Sequence, residues 1–253
     1  MCPPTETDRS APIMRDPSQI RLFVEAALPG SIALTGKQTN YLRNVLRLSP
    51  GACFTAFNGR DGAWLAEITA FAKSGGTAET GEQLQAQTPA PTLVYAFAPL
   101  KQARLDYMVE KAAEAGAGHL QPVLTQHCQV RRINRDRLRA NIIEACEQCG
   151  ILTVPSIAEP VPLTRFLGEV GERTLVVADE ALAGEAADPV AAIRAAGPPM
   201  AVLIGPEGGF SEEERALFAP RSVRVSLGPR VLRADTAAVA LLALVEAAHP
   251  SVS

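Results

Sequence analysis

Two loops rich in glycine and proline stand close together in the chain: LIGPEGGF at residues 203–210 and LGPRVLRADT at residues 227–236. Each follows an apolar, strand-like run and leads into a helix pattern. Glycine allows a close approach to a ligand, and a helix N-terminus presents free backbone N–H groups. Together the loops predict one composite pocket built largely from backbone, which suits a nucleotide-like cofactor. The alternative is two tight turns without a ligand.

The chain around these loops alternates between strands and helices. Asn134 and Asp188-Pro189 are helix starts, whereas Gly116 and Gly150 are helix stops. The predicted strands are 92–97, 119–124, 174–178, 200–204 and 222–227, and the predicted helices are 102–115 and 134–149, with others beginning at 188, after Ser211 and after the second loop. This alternation predicts an α/β fold with a mostly parallel sheet. Ligands of such sheets bind beyond the carboxyl ends of the strands, where both loops lie.

The preceding part of the chain has shorter, strand-like runs. They lie at 21–24, 31–34, 53–57 and 64–68, with a helix predicted over 38–48, and together they fit a small β-barrel. Residues 73–91 are rich in Gly, Thr, Gln and Pro and are interpreted as a bend or linker. The predicted organisation is a flexible leader over 1–19, a barrel domain over 20–85 and an α/β domain over 92–250.

The composition is that of an ordinary globular protein, with 253 residues, 47% hydrophobic residues and a net charge of −3. No apolar run is long enough to span a bilayer, and residues 1–19 lack the apolar core of an export signal. A cytoplasmic location without a membrane partner is therefore expected. Five scattered cysteines predict reduced thiols. The motif Cys146-Glu147-Gln148-Cys149 lacks two further ligands, so no metal is expected.

The loops lack the usual nucleotide-binding signatures. Neither GxxxxGK[ST] nor GxGxxG occurs in the chain. Glu207 would also repel a phosphate group. A cationic or zwitterionic cofactor therefore fits better than ATP or NAD, and S-adenosylmethionine, with a sulfonium and no phosphate, is such a molecule.

The loop segments LIGPEGGFSEEE at 203–214 and LGPRVLRADTA at 227–237 resemble the signature segments of the ribosomal small-subunit methyltransferase E (RsmE) family, which belongs to the knotted SPOUT methyltransferases. Further similar segments are NYLRNVLR at 40–47, KQARLD at 101–106, QP at 121–122 and EACEQ at 144–148, together with Lys111 and Glu114. Two places depart from the family pattern. Asp235 stands where glutamate is expected, and His127-Cys128 replaces small polar residues.

The resemblance implies a SPOUT α/β trefoil-knot domain, a homodimer, S-adenosylmethionine bent inside the knot, and an N-terminal PUA-like β-barrel that helps to bind RNA. It also implies methylation of uridine N3 in the 16S ribosomal RNA of the small subunit. The cofactor is then expected at Leu203, Ile204, Gly205, Pro206, Gly208, Gly209, Leu227, Gly228, Val231, Leu232, Thr236 and Ala237.

Three residues are candidate catalytic groups. Methylation of uridine N3 requires removal of its proton and stabilisation of charge on the flanking carbonyl oxygens. Arg233 offers a fork of donors to those oxygens, and Asp235 or Glu207 would steer the base or accept the proton. The structural alternatives are a helix cap for Asp235 and a loop-holding role for Glu207. Residues Glu212 to Glu214 are interpreted as favouring the helix dipole.

Basic residues are the candidates for RNA binding, because lysine and arginine contact the phosphate backbone. They are Lys37, Arg43, Arg47, Lys101, Arg131, Arg132 and Arg135. A solvated helix face is the alternative for the stretch that begins at Arg131.

Two other functions stay open. One is a knotted ribose 2′-O-methyltransferase acting on ribosomal or transfer RNA, although the RADTA segment at 233–237 favours the base methyltransferase. The other is a non-catalytic RNA-binding module for ribosome assembly, which would bind S-adenosylmethionine weakly or not at all.

Overall fold

The computed structural model describes residues 20–185 and 188–250. The chain divides into two compact units, with the boundary between Ala86 and Gln87. The predicted leader over residues 1–19 lies outside the described residues. Within the described residues, no helix has the length and apolar character needed to cross a membrane.

The first unit is built on a five-stranded sheet with the order β1-β3-β4-β5-β2. Its strands are β1 (Arg21–Phe23), β2 (Ser31–Leu34), β3 (Cys53–Phe57), β4 (Ala63–Phe71) and β5 (Gly76–Gln85). Strand β1 pairs with β3 in parallel, and the pairings β3–β4, β4–β5 and β2–β5 are antiparallel. Ile32, Phe54 and Ile68 are fully buried in its core.

The linker predicted over residues 73–91 is wrong for most of its length, because Gly76–Gln85 forms β5. This strand pairs with both β2 and β4. Ala78 is its one buried residue. The strand therefore lacks the alternation of apolar and polar residues by which strands are recognised, and its threonines are the remaining β-favouring signal.

The helix of the first unit begins at Gly36 and not at Gln38 as predicted. Helix α1 (Gly36–Asn40) continues into a π-helical turn, Tyr41–Val45. The earlier start follows from Thr35, whose side chain forms a capping box with Gln38 and satisfies free N–H groups of the first turn.

The second unit is built on a seven-stranded sheet with the order β12-β10-β11-β6-β7-β8, and β9 pairs with β7. All of these pairings are parallel. The strands are β6 (Val94–Phe97), β7 (His119–Leu124), β8 (Ser156–Ile157), β9 (Val161–Pro162), β10 (Thr174–Ala178), β11 (Met200–Ile204) and β12 (Ser222–Val225). The prediction of a mostly parallel α/β fold is confirmed.

Helices connect these strands, and the caps predicted at Asn134, Gly150, Asp188 and Ser211 are confirmed. They are α2 (Gln102–Glu114), α3 (Arg135–Cys149), α4 (Leu163–Glu169), α5 (Pro189–Ala196), α6 (Glu212–Phe218) and α7 (Ala234–Ala248). Asn134 and Asp188 cap α3 and α5 through their side chains, and Gly150 ends α3 in the left-handed conformation. Ser211 and Glu214 form the capping box of α6.

The strand order brings the two glycine loops together. Strand β11 lies between β6 and β10, and all five of its residues are buried, as expected for a central strand covered on both faces. Strand β10 lies between β11 and β12. Because these strands are parallel, their carboxyl ends meet at one edge of the sheet, where the loops that follow them form a common site.

Candidate functional site

A cavity of about 260 Å³ opens at the carboxyl ends of β10, β11 and β12. Nine of the twelve residues predicted for the cofactor line it: Ile204, Gly205, Pro206, Gly209, Leu227, Gly228, Val231, Leu232 and Ala237. The two glycine loops therefore form one pocket, although Gly205 and Leu227 are 22 positions apart in the sequence.

The other three residues predicted for the cofactor lie outside this lining. Leu203 is fully buried in the core of the second unit. Gly208 packs against the loop after β7, where an added Cβ would lie 3.0 Å from the Cβ of His127. Thr236 is exposed in the first turn of α7.

The loop after β10 forms a third wall that the sequence prediction does not include. It supplies Ala178, Asp179, Glu180 and Ala183 to the lining. The signal for it is VVADE at residues 176–180, where acidic residues directly follow a strand at the carboxyl edge of the sheet. The side chain of Asp179 also orders this loop by accepting a hydrogen bond from the Ala181 N–H at 3.1 Å.

Asp179 is a fully buried charge that links the loop after β10 to α6, which follows the first glycine loop, and to β12, which precedes the second. One carboxylate oxygen accepts a hydrogen bond from Arg215 Nε of α6 at 3.1 Å, and the other accepts one from Arg224 Nε of β12 at 2.8 Å. A buried carboxylate is tolerated only with such partners. Burial alone would lower the pKa of Arg215, whereas its contacts with Asp179, Glu180 and Glu212 raise that pKa above the ordinary value. The guanidinium therefore stays charged.

Glu180 holds the first glycine loop in shape. Its Oε1 accepts a hydrogen bond from the Phe210 N–H at 3.2 Å and forms an ion pair with Arg215. Gly209 lies directly against this oxygen: a Cβ at this position would be 2.2 Å from Glu180 Oε1, and the φ of Gly209 is +69°. Glycine is required here for both reasons.

Gly209→Ala is expected to lower the free energy of unfolding by about 1–3 kcal/mol from the backbone alone, and by more because Glu180 must move. Gly171→Ala is the matched control, because Gly171 has a φ of +65° while its Cβ would meet only the Glu169 carbonyl oxygen at 4.0 Å. Urea unfolding of both variants separates the backbone cost from the clash. Equal losses in the two variants would contradict the contact with Glu180.

Four charged side chains gather beside the cavity, three of which are the predicted catalytic residues. Arg104 of α2 donates from Nη1 to Glu207 Oε1 at 3.1 Å, and its Nε lies 4.0 Å from Asp235 Oδ2. Arg233 Nε lies 3.8 Å from Asp235 Oδ1. Glu207 and Arg233 line the cavity. The structure thus brings Glu207, Arg233 and Asp235 together and adds Arg104, to which the sequence assigns no role.

The helix-cap interpretation of Asp235 is wrong. Arg233 occupies the N-cap position of α7, and Asp235 lies in the first turn, where its Oδ1 accepts a hydrogen bond from the Thr236 N–H at 3.0 Å. Tyr95 of β6 is fully buried near this carboxylate, and burial, together with Asp235, raises the pKa of Tyr95. The Tyr95 hydroxyl therefore stays protonated.

The glutamates at the start of α6 do more than favour its dipole. Glu214 Oε1 accepts a hydrogen bond from the Gln126 N–H at 2.7 Å, which ties the loop after β7 to α6. Glu212 forms an ion pair with Arg215 at 2.9 Å. The atypical His127 lies in the same loop as Gln126, and its Nδ1 is 3.0 Å from the Gly208 carbonyl oxygen. The loop after β7 therefore helps to hold the first glycine loop and α6 in place.

The predicted RNA-binding residues are mostly exposed. Arg131 and Arg132 lie in the loop after β7, and Lys101 stands at the N-cap position of α2. Arg135 is engaged in an ion pair with Glu159 at 2.7 Å. In the first unit, Lys37 lies in α1, Arg43 in the π-helical turn and Arg47 just beyond it, and all three are exposed. Their role in RNA binding stays a prediction.

Across residues 20–185 and 188–250, no group of three or more His, Cys, Asp or Glu side chains is arranged to hold a metal ion. Cys146 and Cys149 lie one turn apart in α3. Burial, with smaller contributions from Cys149 and Glu147, raises the pKa of Cys146 to about 12. Its thiol therefore stays protonated at neutral pH.

Two family models match the chain: an RNA methyltransferase domain matches residues 87–246 and an RNA methyltransferase PUA domain matches residues 34–79. Ribosomal RNA small subunit methyltransferase E from Rickettsia conorii is 32% identical over 208 residues, which cover 81% of this chain and 85% of that protein. The protein of the same name from Synechocystis is 30% identical over 235 residues, which cover 88% of this chain and 75% of that protein.

Solved structures show the same similarity over nearly the whole chain. A putative methyltransferase from Legionella pneumophila, in complex with the bound cofactor SAM, has a TM-score of 0.78 and 31% identity and covers 91% of this chain and 98% of its own. A ribosomal RNA small subunit methyltransferase E from Neisseria gonorrhoeae, bound to S-adenosyl methionine, has a TM-score of 0.77 and 26% identity and covers 90% of this chain and 97% of its own.

Proposed function

Because the chain belongs to the ribosomal RNA small subunit methyltransferase E family, we propose that it transfers the methyl group of S-adenosylmethionine to N3 of a specific uridine in 16S ribosomal RNA. Membership rests on the family model that matches residues 87–246 and on the relative with 32% identity. The predicted fold, a SPOUT α/β domain with an N-terminal PUA-like domain, is confirmed. The chain is an S-adenosylmethionine-dependent ribosomal RNA methyltransferase; the atom that receives the methyl group is the proposal.

The chemistry of the cavity lining fits S-adenosylmethionine. Ile204, Leu227 and Leu232 offer apolar faces for an adenine ring, and the glycine loops let backbone groups approach its edge. Glu180 and Glu207 belong to the same lining, and a carboxylate there does not repel a sulfonium cation as it would repel a phosphate group. When bound, the cofactor supplies an electrophilic methyl group.

The observation that carries the proposal is that Arg233 and Glu207 line this cavity with Asp235 beside them. Uridine N3 holds a proton at neutral pH, and its removal leaves negative charge on the two flanking carbonyl oxygens. Arg233 would hold those oxygens with its fork of donors, and Glu207 or Asp235 would orient the base and accept the proton. The target base must also be unpaired or turned out of its helix to reach these groups.

Methyl transfer from labelled cofactor to small ribosomal subunits that lack the modification tests this function. Mass spectrometry of the digested RNA is expected to locate the label on uracil N3. Label on a ribose oxygen would instead establish the 2′-O-methyltransferase. Absence of transfer, together with absence of cofactor binding in calorimetry, would leave a non-catalytic assembly module.

We also propose a homodimer that works in the cytoplasm, where its ribosomal substrate is found. In this proposal residues 20–85 bind RNA and residues 92–250 carry the knotted catalytic domain. The resemblance to the knotted SPOUT methyltransferases, which implies a homodimer, supports the assembly, and sedimentation equilibrium with a mass of one chain would contradict it.

Exchange of both Arg131 and Arg132 for alanine is expected to weaken binding to small subunits and to make it less dependent on salt. The two side chains are exposed, and each phosphate contact contributes roughly 0.7–0.9 to the slope of log affinity against log salt concentration. Filter binding between about 50 and 200 mM salt measures this slope. The control is Arg165→Ala, an exposed residue of α4, and a slope unchanged in the double variant would contradict the assignment.

A further inference from the structure

Arg104 lies outside both glycine loops, yet it lies within ion-pair distance of one carboxylate from each loop segment. It belongs to the first turn of α2 and donates to Glu207 in the loop after β11 at 3.1 Å. Its Nε lies 4.0 Å from Asp235 at the start of α7. The exposed fractions of the three side chains are 38%, 28% and 18% for Arg104, Glu207 and Asp235. These pairs are therefore partly shielded from water, where a charge interaction is stronger than at an open surface.

Asp235 is shared between two guanidinium groups. Its Oδ2 faces Arg104, and its Oδ1 lies 3.8 Å from Arg233. The result is an alternating series of charges, Glu207–Arg104–Asp235–Arg233, whose formal charges sum to zero. Arg233 stands at the end of the series and is 62% exposed, so most of its five N–H donors are available to another molecule.

We infer that Arg104 is a positioning residue for methyl transfer, which neutralises Glu207 and Asp235 so that Arg233 keeps its donors free for the uracil carbonyl oxygens. This inference rests on the proposed function of the same site. Without Arg104, Arg233 is the cation left beside Asp235, and a tighter ion pair between them draws Arg233 away from the substrate. A lysine at position 104 replaces this function only in part, because a single ammonium does not present the two-sided fork of a guanidinium.

A double-mutant cycle tests the inference. Single-turnover methyl transfer to small subunits and calorimetric binding of S-adenosylmethionine are measured for the wild type, Arg104→Gln, Asp235→Asn and the double variant. Arg104→Gln is expected to lower the rate about tenfold to a hundredfold, as a misplaced catalytic group does, and to leave cofactor affinity within about threefold. In the Asp235→Asn background the same change is expected to cost less than about threefold, because the carboxylate that captures Arg233 is gone.

The matched control is Arg165→Gln, which removes an exposed ion pair with Glu169 in α4 and is expected to keep wild-type activity. Wild-type turnover in Arg104→Gln overturns the positioning role of Arg104 and leaves the proposed function standing. Equal losses of rate in both backgrounds also overturn it, as does a loss of cofactor affinity that accounts for the whole loss of rate. A wild-type protein that transfers no methyl group to small subunits overturns the proposed function and this role with it.

Discussion

Arg233→Ala is expected to lower the rate of methyl transfer by about a hundredfold to a thousandfold, the loss seen when one donor to a developing oxyanion is removed. Arg233 lines the cavity, and 62% of its side chain is exposed. Its guanidinium stabilises charge that forms on the base only as N3 loses its proton, so its removal acts on the transition state. The rest of the cavity lining is unchanged in this variant, and affinity for S-adenosylmethionine is expected to stay within a few-fold of the wild type.

Single-turnover transfer at saturating small subunits measures the rate, and calorimetry measures cofactor binding. Arg233→Lys keeps the charge without the fork and is expected to recover only part of the rate. Arg221→Ala removes an exposed arginine just before β12 and serves as the control. An Arg233→Ala protein with the turnover of the wild type would show that Arg233 only shapes its loop.

Strand bounds could be predicted best where local signals mark both ends. The predicted strands 119–124, 174–178 and 200–204 agree with β7, β10 and β11 to the residue. Strands β10 and β11 are mainly apolar runs in a parallel sheet, as a strand covered on both faces requires, whereas β7 alternates half-buried His119 and Gln121 with buried residues. Strand β5 shows the opposite case. It is stabilised by pairing with β2 on one side and β4 on the other, so its own side chains need not follow a recognisable strand pattern.

The candidate site could be predicted as far as it is local in sequence. The two glycine loops could be recognised because turn residues and a following helix start are adjacent in the chain. The third wall could not, because Asp179 joins Arg215 and Arg224 across 36 and 45 positions. That contact exists only because β10 lies between β11 and β12, and no local pattern specifies this order. The pair of Arg104 and Glu207, 103 positions apart, is hidden for the same reason.

Asp179→Ala is expected to lower the free energy of unfolding by about 3–5 kcal/mol, because it leaves two guanidinium groups without their buried partner. Asp179 is fully buried, and the side chains of Arg215 and Arg224 are only 16% and 28% exposed. Water therefore replaces the lost carboxylate incompletely. Arg215 follows the first glycine loop in the chain, and Arg224 precedes the second. Affinity for S-adenosylmethionine is therefore expected to fall along with stability.

Urea unfolding followed by circular dichroism, with and without the cofactor, measures both effects. A triple variant, Asp179→Leu with Arg215→Met and Arg224→Met, separates the cost of an unpaired charge from the worth of the network. It is expected to be more stable than Asp179→Ala, because it replaces the buried carboxylate and both of its arginine partners by apolar residues, while Glu180 and Glu212, which lose Arg215, are 33% and 88% exposed to water. A triple variant no more stable than Asp179→Ala would show that the lost stability comes from packing around position 179 and not from unpaired charges. Packing, and not the ionic network, would then hold the three loops around the cavity.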